Sequence, residues 1–284
     1  MPPFFEHRHR IAYSRVEHVS SIEEIQHPVV KAILNEANPE KGLEIHHDGD
    51  LPARAGLGSS SSFAVGLLNA MNALEGRRST KQELADHAIY IEQTILQENV
   101  GCQDQITTAY GGFNMVEFKS DGATNISPVI AKPQNIQNLQ NSMLLFFTGV
   151  SRHASKIAAE QIKNFSARKS ELTAMYQMVE EAVKILDRKT DPAEEFGKLL
   201  HESWMLKRSL ANAVTNQEID DVYEIGCKAG AYGGKLLGAG GGGFILFIAP
   251  PDKHTAIREA LNDLVYVNFK FDTDGSKVIV FDPE

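Results

Sequence analysis

The chain has 284 residues, 42% hydrophobic and 23% charged, with 22 glycines and 11 prolines. That composition excludes fibrous, collagen-like and disordered classes and leaves room for one large domain or two medium ones. Lysine and arginine total 28 against 37 acidic residues, a formal charge of −9; the overall field repels phosphate backbones and anionic lipid, so neither nucleic acid nor membrane is expected as a partner. The two cysteines, Cys102 and Cys227, form no CxxC pair, and no segment approaches the roughly 18 apolar residues of a membrane span. The first ten residues lack the apolar core of a signal peptide, so a cytoplasmic location is expected.

A strand is expected over 10–16, then a helix over 22–38 capped by Ser20 or Ser21, with Glu23 and Glu24 in its first turn. A second strand follows at 43–47. After the turn Asp48-Gly49-Asp50, a glycine- and serine-rich segment leads into an apolar helix over 63–74. A long helix over 80–99, a strand over 112–118 and the hairpin signal Ser120-Asp121-Gly122 come next. The polar stretch 132–141 reads as a linker. A strand at 143–147 precedes helices over 154–186, 192–213 and 217–229. A glycine-rich loop over 233–243, a strand over 244–248, a helix near 253–264 and two strands around 272–275 complete the chain. Strands and helices in uneven groups, with hairpins, predict an α+β fold in two domains, 1–138 and 139–284.

The loop Gly56-Leu57-Gly58-Ser59-Ser60-Ser61-Ser62 lies between a strand and an apolar helix, where unpaired N–H groups and the helix dipole favour an anion, phosphate above all. Glycines admit close backbone approach, and the serines offer hydroxyl donors and an oxygen ligand for Mg²⁺. Two familiar phosphate fingerprints fail. The P-loop needs Gly-Lys-Ser/Thr, and no lysine lies between Lys41 and Lys81. The dinucleotide motif needs a glycine where Ser61 stands, and Gly238-Ala239-Gly240-Gly241-Gly242-Gly243, which fits that pattern, precedes a strand instead of a helix.

Helical periodicity singles out Glu92. At 100° per residue, Leu84, Ala85, Ala88, Ile89, Ile91, Ile95 and Leu96 fill one face, and Glu92 falls in its middle. A carboxylate placed there must hold a cation, meet an Arg or Lys, or accept backbone hydrogen bonds. Past the helix end, Asp104 is expected in a polar turn. Phosphoryl transfer needs a phosphate cradle, Mg²⁺ and a carboxylate to orient or deprotonate the attacking oxygen, and Ser60, Glu92 and Asp104 supply oxygens of that kind. His7, His9, His46 and His47 read as surface histidines, Cys102 as a packing residue and Trp204 as core or cleft wall.

Pro52-x-x-x-Gly56-Leu57-Gly58-Ser59-Ser60, Gly101-x-Gln103-Asp104-Gln105 and Lys235-Leu236-Leu237-Gly238-Ala239-Gly240-Gly241-Gly242-Gly243-Phe244 resemble the motifs of the GHMP kinases, the superfamily of galactokinase, homoserine kinase, mevalonate kinase and phosphomevalonate kinase. Within it, Gly111-Gly112-Phe113-Asn114, Thr148-Gly149-x-Ser151-Arg152 and His201-Glu202-Ser203-Trp204-x-Leu206-Lys207-Arg208 are similar to segments of the D-glycero-D-manno-heptose 7-phosphate kinases. The resemblance implies a two-domain GHMP kinase fold, with a ribosomal-protein-like N-terminal and a ferredoxin-like C-terminal domain.

It also implies a reaction. ATP would be the phosphoryl donor, with Pro52 and the stretch Gly56, Leu57, Gly58, Ser59, Ser60 and Ser61 around its phosphates. Ser60 and Glu92 would be Mg²⁺ ligands and Asp104 the base. Gly240, Gly241 and Gly242 would approach the substrate or the γ-phosphate. The substrate would be a small sugar phosphate, heptose 7-phosphate, phosphorylated on its anomeric hydroxyl to the 1,7-bisphosphate for nucleotide-activated heptose and surface polysaccharide. Arg152, Lys207 or Arg208 would supply the cation for the 7-phosphate, which needs charge-assisted donors in so acidic a chain. Alternatives are a fucose- or galactose-type sugar 1-kinase and a catalytically silent ATP- or sugar-binding remnant. The family's first motif, arginine-rich and Gly-Gly-x-Thr-Asp-like, has no counterpart before Arg10. The chain is therefore expected to be N-terminally truncated, either as a fragment or mis-started reading frame or by loss of that element. A missing strand would bare a sheet edge or an apolar groove, a route to homo-oligomers.

Overall fold

A computed structural model of the chain describes residues 8–51, 55–149 and 154–282, with 154–156 as backbone. The chain forms two compact units, one of Met1–Ala53, Gly58–Gly112 and Thr273–Glu284, the other of Arg54–Leu57 and Phe113–Asp272. Among the described residues no helix is long and apolar enough to cross a membrane. The α+β class holds in both units.

In the first unit, β1 (His9–Ala12) pairs antiparallel with β2 (Val16–Val19) and parallel with β3 (Glu44–His46), giving the order β2-β1-β3. The crossover to β3 carries α1 (Pro28–Ala37). The helix expected over 22–38 starts late because Pro28 occupies its first turn, where a missing N–H costs nothing and φ is already helical. His27 caps it by accepting the Val30 N–H, and only a 3₁₀ turn forms at Ile22–Glu24. His9 corrects the surface reading of the histidines: it is fully buried on the middle strand, its Nδ1 accepting from the Leu43 N–H at 3.3 Å.

Three further helices complete this unit: α2 (Ser59–Leu74), α3 (Lys81–Ile89) and α4 (Gln103–Tyr110). A capping box between Thr80 and Glu83 starts α3, which passes into a π-helical turn at Tyr90–Ile95. The wider turn shifts the helical phase, so Ile91 and Glu92 are buried while Ile95, expected on the same face, is 46% exposed. Near the C-terminus, of the two strands expected around 272–275 a short one forms ahead of the turn, at Val265–Val267, and none is seen after it among the described residues. Gly275 packs on the backbone of Ala109 and Gly111, and the Ser276 N–H bonds to the Thr108 carbonyl, so this segment closes off the end of α4.

The second unit begins with the hairpin β4 (Asn114–Phe118) and β5 (Thr124–Pro128). The stretch expected as a linker is α5 (Pro133–Asn141): Leu139 is buried, and the Asn135 amide donates to the carbonyls of Leu186 and Arg188. Pro133 at the first helical position outweighs the polar composition. The expected boundary between 138 and 139 thus falls inside a helix, whereas the compact units divide at Gly112/Phe113.

After β6 (Met143–Phe147) come α6 (Ala154–Asn164) and α7 (Lys169–Asp187), one expected helix broken by a 3₁₀ turn at Phe165–Ala167. Then follow α8 (Ala193–Leu210), α9 (Gln217–Lys228), β7 (Gly233–Leu236), β8 (Phe244–Ile248), α10 (His254–Ala260) and β9 (Val265–Val267). The first four residues of the expected glycine loop therefore belong to a strand. All pairings in the sheet β7-β8-β6-β9 are antiparallel. Trp204, Ile219, Tyr223 and Phe247 form its core. Gly226 lets α9 lie on β8, since a Cβ there would stand 2.4 Å from the Phe247 ring.

Candidate active site

In the first unit the site is built around a buried carboxylate. Glu92 is 2% exposed. Its Oε1 accepts from Ser60 Oγ at 2.8 Å, and its Oε2 accepts from Ser61 Oγ at 2.7 Å and from the Gln105 amide. The expectation of a cation, an Arg or Lys, or backbone donors is met differently, by two hydroxyls and an amide. Ser61 and Gln105 are buried with it, whereas Ser60 is exposed. The Oε1 side of the carboxylate is therefore the side next to an exposed oxygen.

These serines lie in the first turn of α2, whose N-cap is Gly58 at φ 66 with no side-chain cap hydrogen bond. Among the described residues no side chain takes the N–H groups that a cap would take, which suits them to an anion. Gly58 is also where Asp104 approaches. A Cβ on Gly58 would stand 3.0 Å from the Asp104 Cγ and 3.2 Å from its Oδ2. Asp104 sits in the first turn of α4, not in a loose turn, so a rigid element sets its direction. It keeps an exposed edge, yet desolvation, with a smaller contribution from the Glu92 charge, raises its carboxyl above the ordinary 3.8.

In the second unit the glycines of the loop after β7 answer to backbone-on-backbone packing. A Cβ on Gly238 would stand 2.7 Å from the Gly56 Cα, and one on Gly243 would stand 2.1 Å from the Ala55 carbonyl oxygen. Gly240 packs on Val214, and the Gly241 N–H donates to the Val214 carbonyl at 2.8 Å. Gly240, Gly241 and Gly242 are all buried. Thr148 Oγ1 both donates to the Gly243 carbonyl and accepts its N–H. The loop is thus molded onto the stretch Ala55–Leu57 that leads into Gly58.

Comparison with known proteins agrees with these two halves. Residues 24–112 match the family model "GHMP kinases N terminal domain", and residues 178–267 match "GHMP kinases C terminal". The D-glycero-alpha-D-manno-heptose 7-phosphate kinase of Campylobacter jejuni is 32% identical over 240 residues, covering 83% of this chain and 70% of that protein. The chain belongs to the GHMP kinases. A galactokinase of Pyrococcus furiosus is 28% identical over 260 residues, 82% of this chain and 72% of its own length. The solved D-glycero-D-manno-heptose 1-phosphate kinase from Bacteriodes thetaiotaomicron superposes with a TM-score of 0.68 at 25% identity, covering 95% of this chain and 82% of that one. This GHMP kinase is a phosphotransferase of the sugar-kinase type, in a family that uses ATP as phosphoryl donor, generally with Mg²⁺.

The structure brings Ser60, Ser61, Glu92 and Asp104 together, and Gly56 meets Gly238. Pro52 and Arg152 lie outside the described residues. The other two cations expected at a substrate phosphate have internal partners. Arg208 pairs with Asp220 at 2.6 Å and stacks 5.9 Å from the Trp204 ring. Lys207 is 8% exposed and donates to the carbonyls of Leu236 (3.1 Å) and Gly238 (2.5 Å). Gln105 stands in the motif around Asp104 without a role of its own, because its segment does not read as a helix. Once α4 is recognised, Gln105, Ile106 and Ala109 form its buried face, and a polar residue on that face carries the same signal as Glu92.

Burial, assisted by the nearby Lys235 charge, lowers the Lys207 amine from 10.5 to about 7. In the unfolded chain it would hold its proton up to pH 10.5. Between those values the unfolded state binds a proton that the folded state has released, so this group makes stability rise with pH. Its cost is fully present below pH 7 and relieved above it. Urea denaturation from pH 7 to pH 10.5 should show the wild type gaining stability that Lys207→Met does not gain; parallel profiles would contradict the assignment.

Proposed function

We propose that this GHMP kinase works in the cytoplasm, transferring the γ-phosphoryl group of ATP to the anomeric hydroxyl of D-glycero-D-manno-heptose 7-phosphate. The product, the 1,7-bisphosphate, would serve nucleotide-activated heptose and surface polysaccharide synthesis. The observation that carries the reading is the first turn of α2. An N-terminus without a side-chain cap, an exposed Ser60 hydroxyl and a buried carboxylate 2.8 Å from it lie side by side, with Asp104 against the same turn. Similarity to the heptose kinase of Campylobacter jejuni supports the choice of acceptor.

In this reading the free N–H groups of the α2 first turn, with Gly56 to Ser61, hold the nucleotide phosphates. The Ser60 hydroxyl and Glu92 Oε1 make a hard, oxygen-only donor pair. Among the described residues no group of three or more His, Cys, Asp or Glu could hold a metal. That sparse set suits Mg²⁺, which takes one or two carboxylate ligands and completes its shell with substrate phosphates and water. When bound, the ion neutralises charge on the phosphates. Ser61 and Gln105 occupy Oε2, which keeps the carboxylate from turning. Asp104, with its raised carboxyl and exposed edge, accepts the proton of the attacking hydroxyl. Gly240, Gly241 and Gly242 would approach the substrate or the γ-phosphate through backbone groups other than the Gly241 N–H, which Val214 holds.

A second reading, a neutral sugar as acceptor, is favoured by the internal partners of Lys207 and Arg208, which commit two cations that a second phosphate would need. A coupled ADP-release assay separates the two. Turnover with heptose 7-phosphate and none with fucose or galactose supports the first reading, and the reverse supports the second. Magnesium–ATP binding with no turnover on any sugar would leave neither standing. Asp104→Asn should lower kcat by on the order of 10² to 10⁴ with the protein still folded; unchanged turnover removes Asp104 from the role of base. Glu92→Gln keeps the shape and loses the charge. It should move the magnesium titration of activity to concentrations about tenfold higher or more, and an unmoved titration would count against metal ligation.

A further inference from the structure

Lys207 has no carboxylate partner among the described residues, and the nearest charge acting on it is another lysine, Lys235 on β7, whose Nζ donates to Ser203 Oγ at 3.0 Å. On its own helix Arg208 is occupied by Asp220 of α9. Burying an amine beside a second cation is costly unless its donors are used. They are used on backbone: the carbonyls of Leu236 and Gly238, the last residue of β7 and the first glycine of the loop. Those two carbonyls flank Leu237, whose own carbonyl oxygen would lie 3.2 Å from a Cβ on Gly56.

We propose that Lys207 is a positioning residue for phosphoryl transfer: from α8 its amine clamps both sides of Leu237 and so seats the glycine loop against Gly56. Lys207 touches no reacting atom in this assignment. It fixes the place at which β7 turns into the loop. The Leu237 N–H donates to the Phe244 carbonyl at 2.8 Å, and the other hold points lie further along. The Gln161 amide donates to the Ala239 carbonyl at 2.6 Å, Val214 receives the Gly241 N–H, and Thr148 grips Gly243. Among the described residues Lys207 is the side chain that takes the carbonyls on either side of Leu237, and its donors suffice in either protonation state, since a neutral amine still has two N–H bonds for two carbonyls. The role at the phosphates rests on the proposed function, whereas the clamp itself does not.

Two variants and one measurement on the unaltered protein test this. In Lys207→Met, hydrogen exchange of peptides spanning 236–243 and 55–57 should quicken about tenfold or more, with β6 and α9 unchanged. With heptose 7-phosphate and ATP, kcat should fall on the order of 10²-fold while both KM values move less than about threefold. Lys207→Arg, which keeps N–H donors, should recover loop protection and part of the kcat. Unchanged exchange in Lys207→Met overturns the clamp, and so does an increase spread evenly over the unit or an arginine variant no better than the methionine one. A raised KM for the sugar phosphate with kcat intact would instead make Lys207 a substrate ligand and likewise overturn it. Should neither variant fold, ¹⁵N-lysine labelling of the wild type decides: one amine with slowly exchanging protons supports the clamp, and fast exchange at every lysine refutes it. The exchange and labelling arms need no acceptor, so an unsuitable sugar and a failed clamp give different results.

Discussion

The carboxylate of Glu92 is the constraint on which the first unit is organised. A buried charge without partners would cost several kcal/mol or would give up its ionisation. Here three donors from two other helices converge on it: Ser60 and Ser61 from the first turn of α2 and Gln105 from the first turn of α4. Satisfying one charge therefore fixes three chain segments at once. The π turn at Tyr90–Ile95 belongs to the same arrangement. An extra residue in the turn aims Glu92 inward without carrying Ile95 in with it, so the unit tolerates an exposed isoleucine in exchange for a correctly directed carboxylate.

A different constraint governs the second unit. Between β7 and β8 the loop must lie on the backbone of Ala55 and Gly56 with no side chains in between, and at Gly238 and Gly243 any Cβ would collide with main-chain atoms that have nowhere to go. Both glycines also have positive φ, 63° and 102°, so another residue would be strained as well as crowded. The loop's glycines are required by this packing before any ligand is considered. Packing of this kind supplies no direction by itself, which is why side chains from several elements, Lys207 of α8, Gln161 of α6 and Thr148 after β6, take up the loop's polar groups.

Much of the site was legible in the sequence, because the features that mark it are local. A glycine-serine loop ahead of an apolar run announces its helix, and Glu92 betrays itself by interrupting an apolar face. The α+β class and most strands follow from pattern for the same reason. What failed was either short or dependent on tertiary context. The helix α4 has eight residues with exposed Gln103 and Asp104 at its start, and α5 is polar at all positions but Pro133, Ile136 and Leu139; neither shows enough apolar period to be recognised. Pro28 moved a helix start that serine caps had suggested earlier. Lys207 was expected at a substrate phosphate, yet Trp204, Lys207 and Leu210 lie at successive spacings of three and all are buried. Only the acceptors, two carbonyls from a strand end 29 and 31 residues away, explain why a lysine is tolerated there.

An acidic protein that handles polyphosphate must overcome its own field, and the formal charge of −9 makes long-range attraction unavailable. In the proposed function this would be met locally. The first turn of α2 offers backbone N–H groups, whose partial charges are fixed in direction and cost no reorganisation when an anion arrives. Its one buried carboxylate would repel phosphate if left bare, and that repulsion becomes useful only when a cation stands between the two. In the proposed function Glu92 would thus act as a selector, making the site unfavourable to a free polyphosphate and favourable to one that brings a divalent ion. Lys207, one of the cations expected to attract the anion directly, is instead held in the interior on backbone carbonyls, so in the proposed function it would leave the phosphates to fixed dipoles and the metal.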